Sequence, residues 1–364
     1  MKFVQLLSTY GEYVREFYRR HPGIETQNYA AQNAALVRDG YSIVHMFGRY
    51  LGPHGFEIAL IFTDCEPTQR QWLAEQGLTL ARPEHWRHEI AARQVNALRP
   101  EILYITEPVF FDRRFLDLLD YRPRLVLGWK AAAIPAGTDW RGFDLILSNF
   151  SPTFTRALEL GARAAEPFTP GFPDRLREEL PEGGETCDVS FIGSVSSEHR
   201  ARTDYLNFLA KAQLLREPNH YSLGYFLRTA EPDIVPVGVA LHNQGTRWGE
   251  DMHRIIRNSR IALNIGIDLA KGETGNMRMI EATGLGTFLL TEHQDNIRKY
   301  FEPGTECETF ASPGELEEKV RYYLANETAR TAIAQRGRER CLRDFSMSAS
   351  LDRLVALMQR HLRD

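Results

Sequence analysis

The chain has 364 residues, 43% of them hydrophobic and 25% charged, with a formal net charge of −4. That length suits about two domains, and the composition excludes a disordered or fibrous chain. So small a negative charge leaves no electrostatic footprint for a nucleic-acid partner. Basic stretches such as Arg336-Gly337-Arg338-Glu339-Arg340 read as solvated helix faces. The first residues, MKFVQLLSTYGEY, lack the apolar stretch and cleavage site of a secretory signal. No window approaches the roughly 18 apolar residues of a membrane span, so at most peripheral membrane contact is expected. Cys65, Cys187, Cys307 and Cys341 are scattered and form no CxxC pair. They point to a reducing, cytoplasmic setting and away from a zinc site.

In chain order, residues 3–7 read as a buried strand, with Tyr10-Gly11 as the turn after it. Helical spacing runs over 28–51, and FEIALIF (56–62) is strand-like. Polar helices fill 67–97. ILYIT (102–106), RLVLGW (124–129) and DLILSN (144–149) are short, continuously apolar strands. Such strands separated by helices predict a parallel sheet covered on both faces. Residues 165–187 then hold four prolines and three glycines, the signature of a linker and loop. The rhythm restarts with DVSFIGS (188–194), a helix over 198–212, IALNIG (261–266), a helix over 277–283, the strand TFLLTE and a helix over 315–325. The last 35 or so residues read as helices with basic faces. The fold class expected is therefore α/β, with two doubly wound Rossmann-like halves and an interdomain cleft. The boundaries expected are 1–168, a linker at 169–187, a second domain at 188–346, and a terminal helix at 347–364 packing back on the first domain.

One stretch suggests chemistry, GNMRMIEATGLGTFLLTE at 275–292. Asn276 is a good helix cap, and Arg278 and Glu281, three apart, share a helix face. A helix start and a guanidinium suit phosphate. A carboxylate one turn on can accept hydrogen bonds from a ribose. Gly284 and Gly286 then allow close packing and a sharp turn. An i,i+3 surface ion pair followed by a glycine cap explains the same residues without a ligand. The Gly193-Ser194 turn between a strand and the helix beginning near His199 is a second phosphate-cradling geometry, with His199 and Arg202 as site candidates or as an exposed first turn. His85-Trp86-Arg87-His88 lacks a third ligand and reads as a helical turn. Asp64-Cys65-Glu66 is not an Asp-x-Asp metal motif and reads as a cap for the next helix. GxGxxG, HExxH and GxSxG are absent.

The C-terminal half resembles glycosyltransferases of the GT-B type, specifically the CgeB-like (spore-maturation-protein-like) group with a group-1-type C-terminal domain. The matching stretches are FIGSVSSEHRAR (191–202), RWGEDMHRIIRNSRIALNIGID (247–268), NMRMIEATGLGTFLLTEHQDNIRKYFEPGTECETF (276–310), ELEEKVRYYLAN (315–326) and IAQRGRERCLRDFSM (333–347). The N-terminal half is similar more loosely, through STYGEY and its strand-helix order. The resemblance implies two facing Rossmann-like domains, with a nucleotide-sugar donor held mainly by the second. It implies a Glu-x7-Glu pair at Glu273 and Glu281, with Glu281 in the ribose-binding place, although KGETGN lacks the Gly-Phe-Gly character usual after the first acid. It also implies a diphosphate contact at Arg278, with Gly193-Ser194 beside the diphosphate. Trp248-Gly249 and Asn264 would lie on loops facing the cleft or the base. No bound metal or resident cofactor is implied.

The activity expected is hexosyltransferase-like transfer from a nucleotide sugar, a UDP-sugar first, to a glycan, lipid or protein hydroxyl in bacterial glycan biosynthesis. An inverting enzyme needs a general base from the first domain. Glu12, Glu107 and His21 are the candidates at strand ends, and Lys130 could meet a donor phosphate. For each, a solvated loop residue is the favoured reading. A noncatalytic nucleotide- or glycan-binding structural protein stays open, as does a nucleotide-sugar epimerase or hydrolase on the same scaffold.

Overall fold

The computed structural model describes residues 1–184, 186–215, 221–268 and 272–362, with Arg49 described by its backbone alone. The chain divides into two compact units, one of residues 1–170 with 350–364 and one of 171–349.

In the first unit the order is β1 (Lys2–Leu7), α1 (Gly11–Arg20), α2 (Tyr29–Asp39), α3 (Gly48–Leu51), β2 (Glu57–Phe62), α4 (Glu66–Glu75), α5 (Trp86–Leu98), β3 (Ile102–Ile105), α6 (Arg113–Leu116), β4 (Leu125–Trp129), β5 (Leu145–Ser148), α7 (Pro152–Glu159) and β6 (Ala165–Pro167). The sheet order is β2-β1-β3-β4-β5-β6, and every pairing is parallel. Phe3 sits in register with Ile58 on one side and Ile102 on the other. The strands are apolar throughout because helices cover both faces. Val4, Leu6, Leu103, Ile105, Val126 and Ile146 form the core beneath α5 and α7. The chain leaves β1 toward β2 and later returns to β1's other side as β3. The switch point where such sheets bind ligands is therefore the carboxyl ends of β1 and β3.

Two expectations here are corrected. Tyr10-Gly11 is not a turn but the start of α1, whose Tyr13 and Phe17, four apart, are fully buried. The helical spacing over 28–51 breaks at Gly40, which ends α2 at φ +67, and only single turns follow.

The second unit contains α8 (Leu176–Glu179), β7 (Val189–Ser194), α9 (Arg200–Leu214), β8 (Leu223–Arg228), α10 (Val237–Leu241), α11 (Gly249–Asn258), β9 (Ile261–Asn264), α12 (Met277–Gly284), β10 (Phe288–Glu292), β11 (Glu308–Phe310), α13 (Pro313–Ala325) and α14 (Glu327–Asp344). Its sheet order is β11-β10-β9-β7-β8, again all parallel. The switch point lies between β7 and β9. Val189, Phe191, Ile261, Leu263, Phe288 and Leu290 line its core. Of the segment read as a linker, residues from 171 onward belong to this unit: Phe172 is fully buried, and Leu176 and Leu180 are buried on and after α8. The last helix, α15 (Met347–His361), belongs from Ser350 onward to the first unit. There Ser350 donates to the Thr169 carbonyl and Arg163 to the His361 carbonyl. Leu351, Leu354, Leu357 and Met358 are buried. No described helix is long and apolar enough to cross a membrane.

Candidate functional site

In the second unit, the carboxyl ends of β7 and β9 are stapled by Arg202. This side chain, on α9, is 94% buried, and all of its hydrogen bonds reach carbonyls. It donates to Ser194 at the end of β7 and to Ile265 and Gly266 just past β9, over 2.6–3.2 Å. Burial lowers its pKa to about 10, and the Arg278 charge works in the same direction. The two guanidiniums therefore lie within electrostatic reach of each other, with the Asp268 and Glu292 carboxylates offsetting their charge.

Gly193 lies between Phe191 and Arg202; a Cβ there would meet the Phe191 ring at 3.0 Å. His199 precedes α9 and shares a 2.6 Å hydrogen bond with Ser196. Burial first, then Arg202, lowers its pKa to about 4, so the ring is neutral at physiological pH. The helix start beside it is not open to a phosphate as expected. The Asp268 carboxylate accepts from the Arg200 and Ala201 amides at 2.8 and 3.3 Å. An acid takes the place an anionic ligand would fill.

The start of α12 is arranged differently. Asn276 is its cap residue, yet the side chain does not cap the helix. It turns back to donate to Asn264 at 2.8 Å, and Asn264 donates to the Thr291 hydroxyl at 2.9 Å. Trp248 lies in the loop that leads into α11, as expected, whereas Asn264 is not a loop residue: it ends β9 and is buried. The Asn276–Asn264–Thr291 chain ties α12, β9 and β10 together. Thr274, paired twice with Asn296, fixes the loop that holds Glu273, which is half-buried.

Arg278 and Glu281 form an ion pair at 2.7 Å, with side chains 18% and 7% exposed. That is too buried for the surface pair the spacing alone allowed. Arg278 Nη1 also contacts the Met252 sulfur at 3.2 Å. On the other side, His253 of α11 is fully buried with Nε2 3.6 Å from Glu281 Oε1. That Nε2 and Arg278 Nε are buried with no hydrogen-bond partner among the described residues. The carboxylate is thus flanked by a guanidinium on one oxygen and an imidazole on the other. His253 had no signal in the sequence, because its partner lies 28 positions away on another helix.

In the first unit, Glu107 follows β3 and Lys130 follows β4, and they pair at 3.2 Å. Glu12 is in the first turn of α1, on the chain leaving β1. His21 is not at a strand end, which corrects its place among the candidates. It ends α1, a helix about 15 Å long, bonded to the Phe17 carbonyl and stacked on that ring at 4.6 Å. Asp64 does not cap α4. Its carboxylate accepts from the Thr9 amide at 2.6 Å and the Thr9 hydroxyl at 3.0 Å, and burial raises its pKa. No group of three or more His, Cys, Asp or Glu among the described residues could hold a metal ion.

Residues 198–356 match a family described as glycosyl transferase-like. No curated protein matches the chain. Among solved structures it is similar to HepE from Anabaena, solved in complex with UDP-glucose. That match has 10% identity and a TM-score of 0.62 over 99% of this chain and 100% of that one. It is also similar to AviGT4, a glycosyltransferase involved in avilamycin A biosynthesis, with 13% identity and a TM-score of 0.58 over 100% and 98%. TarM from S. aureus, solved with UDP, matches at 9% identity and a TM-score of 0.54 over 74% of this chain, which spans 58% of that protein. At these identities the likeness is one of fold, and the fold is that of GT-B glycosyltransferases: two parallel-sheet α/β domains.

Proposed function

We propose that the chain is a metal-independent glycosyltransferase, moving a sugar from a UDP-sugar to an acceptor hydroxyl. The observation that carries this reading is the buried Arg278–Glu281–His253 cluster at the first turns of α12. It lies beside the switch point of a domain whose sequence is glycosyl transferase-like. Glu281 accepts the ribose hydroxyls, while His253 and Arg278 hold its carboxylate in place. The start of α12, with no side-chain cap, and the Arg278 guanidinium face the diphosphate. They offset the charge that builds on it as the glycosidic bond breaks. Gly193 and Ser194 offer backbone close to the same anion, because Arg202 clamps the β7 and β9 ends in register.

Asn276 and Asn264 orient this helix start and Trp248 the start of α11, while Glu273 borders the sugar. His199, neutral and bonded to Ser196, positions the turn after β7. In the first unit Glu107 receives the acceptor's proton, oriented by Lys130, with Glu12 as the alternative base. The CgeB-like group is the finer family assignment this reading favours. The titration of UDP-glucose, GDP-glucose and dTDP-glucose against the protein, followed by UDP release with acceptor present, tests the proposal. UDP-glucose binding and acceptor-stimulated UDP release are expected. Binding without turnover across acceptor classes points to a nucleotide-binding structural protein, and release without acceptor to a hydrolase.

A further inference from the structure

The first unit holds a groove of about 860 Å³ between α5 and residues 107–118, large enough for a drug-sized ligand. Its polar residues gather at one end. Arg82, His85, His88 and Glu89 come from the start of α5 and the turn before it, and Glu107 from the end of β3. Toward the other end, Ala92, Val109 and Leu118 line the groove beside Arg93 and Arg114. Asn96 ties α5 to this wall by donating to the Leu118 carbonyl and accepting from the Asp120 amide. From His85 to Asn96 is eleven helical steps, about 16 Å.

The wall between is stiff. The Phe110 ring stacks on His88 with centroids 4.3 Å apart, and the Arg87 guanidinium lies 4.0 Å from the Phe110 centroid. His88 Nε2 bonds the Phe110 carbonyl at 2.9 Å, and burial lowers its pKa. The lining charges are mostly spent internally. Arg93 pairs with Glu89, whose oxygens also take the Ala81 and Arg82 amides. Arg114 pairs with the fully buried Asp112, and Glu107 with Lys130. Among the described residues Arg82 has no acidic partner, and it stands exposed at the polar end.

We infer that this groove takes an anionic single-chain amphiphile as the acceptor, its apolar chain along α5 and its charged end at Arg82. The acceptor's hydroxyl is then presented at Glu107. An apolar chain dehydrates the walls of Ala92, Phe110 and Leu118, and the anion supplies the charge that Arg82 lacks. The acceptor role rests on the transferase reading above; the occupancy of the groove does not.

The test is calorimetric titration of the full chain with decyl phosphate, methyl phosphate and decyl maltoside below their micelle concentrations, and with UDP. Two exposed-site variants, Leu118→Arg and Arg82→Ala, are titrated in parallel. The expected result is one decyl phosphate per chain, bound at least ten-fold tighter than methyl phosphate. Leu118→Arg should weaken it ten-fold or more. Arg82→Ala should weaken it about five-fold and remove its advantage over decyl maltoside. UDP should bind all three proteins alike. Equal affinities in wild type and variants, methyl phosphate matching decyl phosphate, or binding only to anionic lipid vesicles would each overturn the groove assignment. If decyl phosphate behaves as expected but UDP does not bind wild type, the acceptor role falls and the binding site stands.

Discussion

Glu281 has more to lose than any other side chain near α12. Glu281→Gln keeps the shape but removes the charge that Arg278 and His253 face. Hydrogen bonds to charged groups are worth about 1.5–3 kcal/mol, so a loss of that order is expected in chemical denaturation. Gly286 holds φ +75, and a Cβ there would meet the Arg177 guanidinium at 2.6 Å. Gly286→Ala is expected to cost about 1 kcal/mol or more, from the left-handed backbone alone. His199 makes a pH prediction. Its folded pKa, about 4, lies below the ordinary 6.5. The unfolded chain therefore takes up the proton first as pH falls. The stability this group contributes is complete above pH 6.5 and is lost as pH drops toward 4. Urea midpoints measured across that window should fall less in His199→Gln than in wild type.

At the scale of elements, α12 was legible from GNMRMIEATG because its cap, ion pair and glycines are local. The long apolar strands were legible for the same reason. The three-residue strands β6 and β11 were not, since so short an edge strand carries no periodicity. β8 did have a readable run, Leu223–Leu227, and α1 a readable i,i+4 pair in Tyr13 and Phe17. The parts of the site that stayed hidden are long-range: His253 on Glu281, Asp268 on the start of α9, Thr9 on Asp64. No spacing rule reaches such pairs. Tertiary packing also reverses a local rule at Gly337. By helix propensity, Gly337→Ala in α14 should stabilise by up to about 1 kcal/mol. The new Cβ would instead collide with the Glu306 backbone carbonyl. A destabilisation of about 1–3 kcal/mol is expected in thermal unfolding, with UDP affinity unchanged.

Across the whole molecule, the two units have separate cores, and the chain's last helix serves the first of them. Leu351, Leu354, Leu357 and Met358 are each nearly or fully buried, and burying such side chains is worth about 1.5–3 kcal/mol apiece. Truncation after Ala349 should therefore unfold the first unit, whose whole stability is of the order of 5–15 kcal/mol. It should leave a UDP-stabilised transition for the second. Two calorimetric transitions in wild type and one in the truncated chain are expected; a truncated chain that keeps both would refute that division of labour. The central claim is that the Arg278–Glu281–His253 cluster holds a uridine diphosphate. Isothermal titration of UDP against wild type, Arg278→Ala and Glu281→Gln, with folding checked by circular dichroism, tests it most directly. The account predicts measurable binding in wild type and at least a ten-fold loss in both folded variants. Equal affinity in all three, or none in wild type, would contradict it.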